Sequence, residues 1–416
     1  MLGDKGRDIR IGVVGLGGRG RGQLGTLLDM EDVHVAAVCD VYEDRVRDAI
    51  SDVKEKRGSE PAGYADYRRL VERTDIEAVV IMTSWTHHSD VAIAAMRAGK
   101  YAAVEVGGAA SIQECWDLVH TSEDTGKPCM MLENCCYDRT EMALLNMVKQ
   151  GLFGEIIHCQ GGYQHDLRSE ICEGDVNRHY RRENFSHRNG ELYPTHELGP
   201  ICKWLNVNRG NRMTMLTSMA SKARGLELWM KEHRPGDAIP PFTQGDIVTT
   251  MIKLAHGETI LLTHDCSLPR PYSRAARLQG TRGIWMEDNK SFCIEGLTEE
   301  NNSWDHFPWV PFEQYIDRFD HPLWKAYQEF GLRGGHGGMD YLVLRAFIES
   351  AQNGMQTPID VYDTATWMSI TCLSEQSVAM GSMPVPVPDF TNGRWTRREQ
   401  AAPGIYALDD VYASLY

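Results

Sequence analysis

A glycine-rich turn between an apolar run and a predicted helix most constrains what this chain can fold into. The run Ile9–Val14 leads into Gly15-Leu16-Gly17-Gly18-Arg19-Gly20, and Asp40 follows twenty residues later, at the end of a second apolar run. In this order, glycines allow a sharp turn and let backbone N–H groups approach a pyrophosphate at the helix N-terminus. The carboxylate suits the adenosine ribose. The sequence therefore predicts a dinucleotide site that comprises Gly15, Gly17, Gly18, Arg19, Gly20 and Asp40.

The same carboxylate bears on which dinucleotide is bound. Asp40 would repel the 2′-phosphate of NADP, whereas Arg45, five positions on, would offset part of that repulsion. The balance favours NAD as the cofactor.

Composition narrows the class of protein. The 416 residues suit two or three domains. With 43 basic and 58 acidic residues the formal charge is −15, and no basic arm is present, so nucleic-acid binding is not expected. We find no apolar stretch of membrane-spanning length and no space for a secretory signal before the first strand, which predicts a cytoplasmic protein without a membrane partner. The 11 cysteines have no repeated spacing and are expected to be reduced.

Strand-like and helix-like segments alternate over the first third of the chain. Such alternation predicts an N-terminal Rossmann domain, a doubly wound parallel sheet over residues 1–132. Ligands bind at the carboxyl ends of such strands, so the stretches 83–88 and 105–108 should edge the nicotinamide half of the site. The apolar runs lie near 9–14, 33–39, 77–82, 101–105 and 128–132. The residues predicted to contact the cofactor there are Thr83, Trp85, His88 and Glu105.

After Glu133 the pattern changes to longer alternating runs. They predict a second, α+β domain over residues 133–416 with a large, open, mostly antiparallel sheet. Helices are expected at about 139–149, 338–352 and 360–378. The strand-like runs are 155–164, 212–219, 246–254, 258–265 and 274–279.

Proton-transfer groups cluster in this second half. Tyr193 and His196 are three residues apart at the start of a predicted helix and can face one ligand, although simple packing would also explain them. Tyr163 interrupts a predicted strand. His336 stands among four glycines, a pattern typical of close backbone approach to a site or of a loop before a helix. We find neither metal-ligand spacing nor a nucleophile elbow, so no metal is predicted.

Several longer motifs are spread over most of the chain. They are Met131-Leu132-Glu133-Asn134-Cys135-Cys136-Tyr137, Gly161-Gly162-Tyr163-Gln164-His165-Asp166, Tyr193-Pro194-Thr195-His196, Pro269-Arg270-Pro271-Tyr272-Ser273-Arg274 and Gly335-His336-Gly337-Gly338-Met339-Asp340. Together with the glycine turn, these motifs resemble glycoside hydrolase family 109, a branch of the glucose-fructose oxidoreductase and inositol dehydrogenase family that contains NAD-dependent α-N-acetylgalactosaminidases.

The resemblance implies glycoside hydrolysis without net redox. The sugar is oxidised at C3 by bound NAD, the ketone acidifies the C2 proton, loss of that proton expels the glycosidic oxygen, water adds, and C3 is reduced again. This route does not need the two carboxylates of an ordinary glycosidase. By resemblance, Tyr163, Tyr193 and His196 are catalytic. The substrate-binding residues it implies are Glu133, Tyr272 and one arginine, for which we take Arg181 although Arg178 and Arg182 lie beside it in the sequence. To these we add His336.

Two positions depart from the patterns that the resemblance brings. Dehydrogenases of the wider family have Glu-Lys-Pro after the fourth strand, whereas this chain has Glu105-Val106-Gly107. The missing lysine disfavours plain sugar dehydrogenation. Family 109 usually has Gly-Leu-Gly-Pro after the histidine, whereas this chain has Glu197, a carboxylate that would raise the pKa of His196 or change which sugar fits.

We therefore expect an NAD-dependent glycosidase that acts on an α-N-acetylgalactosaminide or a related glycoside, with a small carbohydrate or glycoconjugate as substrate. An NAD-dependent sugar or polyol dehydrogenase is the alternative hypothesis. A third hypothesis is a non-enzymatic sensor or scaffold. A homodimer or homotetramer is expected.

Overall fold

The computed structural model describes residues 6–298, 307–398 and 404–408. The chain divides into two compact units. The first contains Met1–Met142, His321–Thr366 and Glu399–Tyr416, and the second contains Ala143–Asp320 and Trp367–Arg398. The domain boundary expected between residues 132 and 133 stays a prediction.

Within the described residues, the first unit is built on a parallel sheet of six strands in the order β3-β2-β1-β4-β5-β6. The strand segments Ala78–Ile81 and Tyr101–Val104 are buried at every residue, as strands covered on both faces require. This sheet confirms the predicted Rossmann-like architecture. The strands are β1 (Ile9–Val14), β2 (Val33–Cys39), β3 (Ala62–Tyr64), β4 (Ala78–Ile81), β5 (Tyr101–Val104) and β6 (Cys129–Met131).

Helices connect these strands, and further helices of this unit come from the C-terminal part of the chain. They are α1 (Gly18–Leu28), α2 (Glu43–Arg57), α3 (Tyr67–Val71), α4 (His88–Arg97), α5 (Ile112–Thr125), α13 (Pro322–Phe330) and α14 (Met339–Asn353). Two helices contain the division between the units, namely α6 (Arg139–Lys149) and α15 (Val361–Ala379).

The second unit contains a nine-stranded sheet within the described residues, in the order β14-β13-β12-β11-β7-β10-β9-β8-β15. The ladder between β7 and β10 is parallel and the other ladders are antiparallel. The prediction of a mostly antiparallel sheet is confirmed. The strands are β7 (Ile156–Gln164), β8 (Met213–Ala220), β9 (Ile247–Leu254), β10 (Thr259–Asp265), β11 (Arg277–Gly280), β12 (Gly283–Met286), β13 (Ser291–Ile294), β14 (Val310–Pro311) and β15 (Val385–Pro386).

Helices that follow β7 along the chain carry several polar residues of the second unit, among them Arg181, His196 and Glu197. α10 packs on β7, and its approach depends on Gly161, where a Cβ would lie 2.1 Å from Cγ of Glu197. The helices of this unit are α7 (Arg168–Cys172), α8 (Gly174–Asn177), α9 (Arg181–His187), α10 (Thr195–Trp204), α11 (Gly225–His233) and α12 (Ile316–Phe319). In the parts of the chain described here, no helix joins the length and the apolar character that crossing a bilayer demands.

Candidate active site

The glycine turn has the backbone geometry of a dinucleotide site. Gly15 has a φ of +94°, and a Cβ there would lie 2.4 Å from the carbonyl carbon of Met82. A Cβ on Gly20 would lie 2.1 Å from the carbonyl oxygen of Gly15. Only glycine permits this turn and this close approach of α1 to the strand.

The N-terminus of α1 is open to an anion. Gly17 precedes the helix and makes no side-chain cap, and a Cβ on Gly18 would meet nothing within 4 Å. The first-turn N–H groups and the positive end of the helix dipole suit a pyrophosphate there. The residues present therefore fit the dinucleotide that the sequence predicts.

Asp40 lies at the end of β2 beside this turn. Its Oδ2 accepts a hydrogen bond from the Leu16 N–H at 2.7 Å, and its Oδ1 accepts one from the Tyr42 N–H at 3.0 Å. Each carboxylate oxygen has a second lone pair, which leaves acceptor capacity for ribose hydroxyls. Nη1 of Arg45 is 3.7 Å from Oδ2 of Asp40, so a positive charge flanks the carboxylate.

Trp85 and Gly107 explain the departure from Glu-Lys-Pro. Trp85 is fully buried, and a Cβ on Gly107 would lie 2.3 Å from Cδ1 of its indole. A proline at position 107 would therefore collide with Trp85. Val106, which takes the place of the lysine, is also buried. Val106 and Gly107 thus stand at the two positions where the wider family has lysine and proline, and Gly107 leaves room for the indole.

His88 supports the loop after β4. Its Nε2 bonds to the carbonyl oxygen of Thr83 at 2.9 Å, and burial lowers the pKa of His88 to about 4. The imidazole is therefore neutral at physiological pH and donates this bond. The cofactor-binding roles of Thr83 and His88 stay predictions, and the contact between them fixes the shape of the loop.

The remaining predicted residues of the first unit have polar partners. Oε1 of the buried Glu133 accepts a hydrogen bond from the Cys135 N–H at 3.1 Å. Nε of Arg19 donates to Oε2 of Glu105 at 3.1 Å. His336 has an exposed side chain, and its Nδ1 lies 2.8 Å from Oδ2 of Asp340.

An aromatic cluster in the second unit brings together the predicted proton-transfer groups. The ring centroids of Tyr163 and Tyr193 are 4.5 Å apart, and that of His196 lies 5.4 Å from Tyr163 and 5.0 Å from Tyr193. The Tyr193 hydroxyl is 3.4 Å from Nε2 of His196. Tyr163 comes from β7, whereas His196 comes from the first turn of α10. The packing of α10 on β7 thus assembles the cluster.

His165 belongs to this cluster and was not assigned a role from the sequence. Its Nδ1 is 3.0 Å from the Tyr163 hydroxyl, and its ring packs edge to face with Tyr272 at 5.1 Å between centroids. Burial, and then the nearby charge of Arg181, lower the pKa of His165. The spacing of two residues from Tyr163 was the available signal, because it places both side chains on one face of an extended chain.

Arg181 lies beneath the two tyrosines. Its guanidinium carbon is 5.0 Å from the Tyr193 ring centroid and 5.9 Å from that of Tyr163, and its Nε is 2.8 Å from Oε1 of Glu170. Arg181 is almost fully buried. A permanent cation thus lies below both phenol rings.

Glu197 is fully buried, and its side chain packs against β7 at Gly161. Its Oε2 is 3.9 Å from Nε of Arg274, itself two residues beyond Tyr272. The extra carboxylate therefore belongs to a buried ion pair between α10 and the segment that carries Tyr272.

Glu191 is a second buried carboxyl group near the cluster. Burial raises its pKa to about 8, and a hydrogen bond from the Tyr193 backbone offsets part of this effect. Glu191 is therefore largely protonated at neutral pH. Its own N–H donates to Oγ of Ser374 at 2.7 Å, which holds the segment that leads to Tyr193.

Comparison with known proteins gives the class of this molecule. Residues 9–133 match the model of the oxidoreductase family with an NAD-binding Rossmann fold. Levoglucosan dehydrogenase, solved in complex with NADH, superposes with a TM-score of 0.68 over 92% of this chain and 100% of its own, at 18% identity, so the likeness concerns the fold. The first unit thus contains a Rossmann-type domain for a nicotinamide cofactor.

The second domain gives the particular family. Residues 137–397 match the model described as the C-terminal domain of glycosyl hydrolase 109. A glycosyl hydrolase family 109 protein of Stenotrophomonas maltophilia is 41% identical over 98% of this chain and 94% of its own length. The α-N-acetylgalactosaminidase of Tannerella forsythia is 38% identical over 94% of this chain and 88% of its own. The chain belongs to glycosyl hydrolase family 109.

Proposed function

We propose that this protein is an NAD-dependent glycosidase that hydrolyses α-N-acetylgalactosaminides or closely related glycosides. The observation that carries the proposal is the cluster of Tyr163, Tyr193 and His196, which offers several proton-transfer groups within 5.4 Å between ring centroids. The name of the Tannerella forsythia relative supports the choice of sugar. Val106, in the place of the dehydrogenase lysine, supports hydrolysis over net oxidation.

The first unit would hold the cofactor through the glycine turn, the first turn of α1 and Asp40. When bound, the nicotinamide supplies reversible hydride transfer at C3 of the sugar. We infer NAD rather than NADP, because Asp40 disfavours a 2′-phosphate. Since Arg45 lies 3.7 Å from that carboxylate, titration with NADH and NADPH is the test, and tighter binding of NADPH would contradict the inference.

The residues of the second unit would carry the proton transfers. Tyr163, whose hydroxyl lies 3.0 Å from Nδ1 of His165, would take a proton from the C3 hydroxyl and pass it to that imidazole. His196 and Tyr193 would remove the C2 proton, which a carbonyl at C3 acidifies, and would return a proton to the leaving oxygen. Arg181 would stabilise the ionised phenols. These assignments are proposals, as are substrate-binding roles for Glu133, Arg181, Tyr272 and His336.

We also propose that two copies of the chain pair through the open face of the second unit's sheet. That face exposes Met215 and Met219 from β8 and Met251 from β9. Exposed apolar side chains in a row on a sheet favour association. Light scattering coupled to gel filtration tests this, and a monomer at micromolar concentration would contradict it. The cytoplasmic location stays a prediction.

A panel of 4-nitrophenyl glycosides tests the proposed activity. The purified protein is incubated with each compound without added NAD. Release of nitrophenol from the α-N-acetylgalactosaminide, with no accumulation of NADH, is the expected result. In a second incubation, the protein is given free sugar and excess NAD. Formation of NADH in proportion to the sugar would establish the dehydrogenase instead. Absence of any turnover despite bound dinucleotide would favour a sensor or scaffold.

A further inference from the structure

Asp340 is the centre of an ionic network in the first unit. Its Oδ2 accepts from Nη1 of Arg19 at 2.7 Å and its Oδ1 from Nη2 of Arg19 at 2.9 Å. Oδ1 also accepts from Nδ2 of Asn134 at 2.8 Å, and Oδ2 lies 2.8 Å from Nδ1 of His336. The Asp340 side chain is only 5% exposed. One buried carboxylate thus joins the first turn of α1, the turn after β6 and the loop before α14.

Arg19 is held from two sides. Asp340 binds both terminal nitrogens of its guanidinium, and Glu105, directly after β5, accepts from its Nε at 3.1 Å. Bidentate pairing of arginine with a carboxylate fixes direction as well as distance. Arg19 is the second residue of α1, the helix whose N-terminus is the pyrophosphate end of a Rossmann site. Its cationic side chain is therefore immobilised close to that end.

The loop at 334–338 is shaped to reach this network. A Cβ on Gly335 would lie 2.7 Å from Oδ2 of Asp340. Gly334 has a φ of +75°, and a Cβ there would lie 3.1 Å from Cγ2 of Thr26 in α1. Glycine thus lets the loop backbone approach both α1 and the Asp340 carboxylate, and His336 closes the approach with its bond to Asp340.

We propose that Asp340 is a positioning residue that retains the bound dinucleotide. It would do so by fixing the Arg19 side chain and by holding the loop at 334–338 against α1. The proposal concerns the nicotinamide dinucleotide site and does not depend on the sugar chemistry. Loss of a carboxylate also removes negative charge near a pyrophosphate, which by itself would slow release. The charge of Asp340 is already paired with Arg19, so the removed repulsion is small. The loss of the contacts that hold Arg19 and His336 outweighs it.

The release of NADH from the loaded protein tests the proposal. NADH fluorescence is followed after mixing with excess NAD, for the wild type, Asp340→Asn and Gly335→Ala. Both variants should release NADH roughly tenfold faster, equivalent to about 1.4 kcal/mol. Gly335→Ala keeps the carboxylate and disturbs only its position, so it covers the case in which Asp340→Asn does not fold.

A matched control comes from the same helix. Arg345 of α14 pairs with Asp32, just before β2, at 2.8 Å, and both side chains are buried. Arg345→Met should lower the Tm but leave NADH release close to that of the wild type. Release from Asp340→Asn that is equal to or slower than the wild type would overturn the proposal. Equal acceleration by Arg345→Met would also overturn it, because it would reduce Asp340 to a general structural role.

Discussion

The hydroxyl of Tyr163 lies 3.0 Å from Nδ1 of His165, and both residues are within the aromatic cluster of the second unit. A neutral imidazole at this distance can accept a phenolic proton. The pKa of His165 is lowered by its burial and by Arg181, so the imidazole stays neutral at pH values lower than those at which an ordinary histidine becomes protonated. We propose that the pair acts as a short proton relay from the C3 hydroxyl of the sugar to His165.

This relay predicts that Tyr163 and His165 act as one unit. Tyr163→Phe and His165→Gln should each reduce kcat, and the double variant should lose little more than the worse single variant. The imidazole of His165 must be neutral to accept the proton. The midpoint of the acid limb that it causes in the pH profile of kcat/KM should therefore lie below pH 6.5. Additive losses in the double variant would show that the two residues act independently.

His196→Ala should abolish turnover and leave the dinucleotide in place. Loss of a general acid or base costs about 10²–10⁴-fold in rate, and the variant leaves the glycine turn and Asp40, which would hold the dinucleotide, unchanged. Initial rates with an aryl α-N-acetylgalactosaminide and the absorbance of released cofactor measure the two effects. His187→Ala, at an exposed histidine of α9, is the control. Near-normal activity of His196→Ala would remove this residue from the mechanism.

Gly161→Ala should destabilise the second unit. The added methyl would lie 2.1 Å from Cγ and 2.5 Å from Cβ of Glu197. Overpacking of this kind costs about 1–3 kcal/mol of unfolding free energy. The double variant Gly161→Ala with Glu197→Gly should recover much of that loss, because it removes the colliding atoms. Urea unfolding of the single and double variants gives the comparison, and an unrecovered double variant would mean that the collision is not with Glu197.

Glu191 predicts a pH dependence of stability. The pKa of Glu191 is about 8 in the folded protein against an ordinary value of 4.5, so the unfolded chain loses this proton at lower pH than the folded protein does. Stability from this group is fully present below pH 4.5 and is lost as pH rises towards 8, by about 1.4 kcal/mol per pH unit. Glu191→Gln should remove this slope, and Glu183→Gln, at an exposed carboxylate, should not. An unchanged slope in Glu191→Gln would contradict the assignment.

Sequence patterns predicted the long elements and the residues that local geometry brings together. Ile9–Val14 and the glycines define the first strand and turn by themselves, because both depend on residues adjacent in the chain. Tyr193 and His196 share a cluster, as their spacing predicts. Short strands such as Ala62–Tyr64 and Val385–Pro386 were missed, since two or three residues carry no periodicity.

Contacts between distant segments were beyond sequence reasoning. Asp340 bonds to Arg19, 321 positions away, and the pattern around each residue gives no sign of the other. The buried location of Glu197 likewise depends on Gly161, 36 positions earlier, because a side chain there would collide with it. The pairing of Trp85 with Gly107 explains the departure from Glu-Lys-Pro only when the two loops are seen together.

The fate of a label at C2 of the sugar tests the central claim most directly. An aryl α-N-acetylgalactosaminide that carries deuterium at C2 is hydrolysed in ordinary water, and the released sugar is examined by NMR and mass spectrometry. Oxidation at C3 followed by elimination requires loss of the C2 hydron to a base such as His196. We expect the product to contain protium at C2. Complete retention of deuterium would contradict the elimination route.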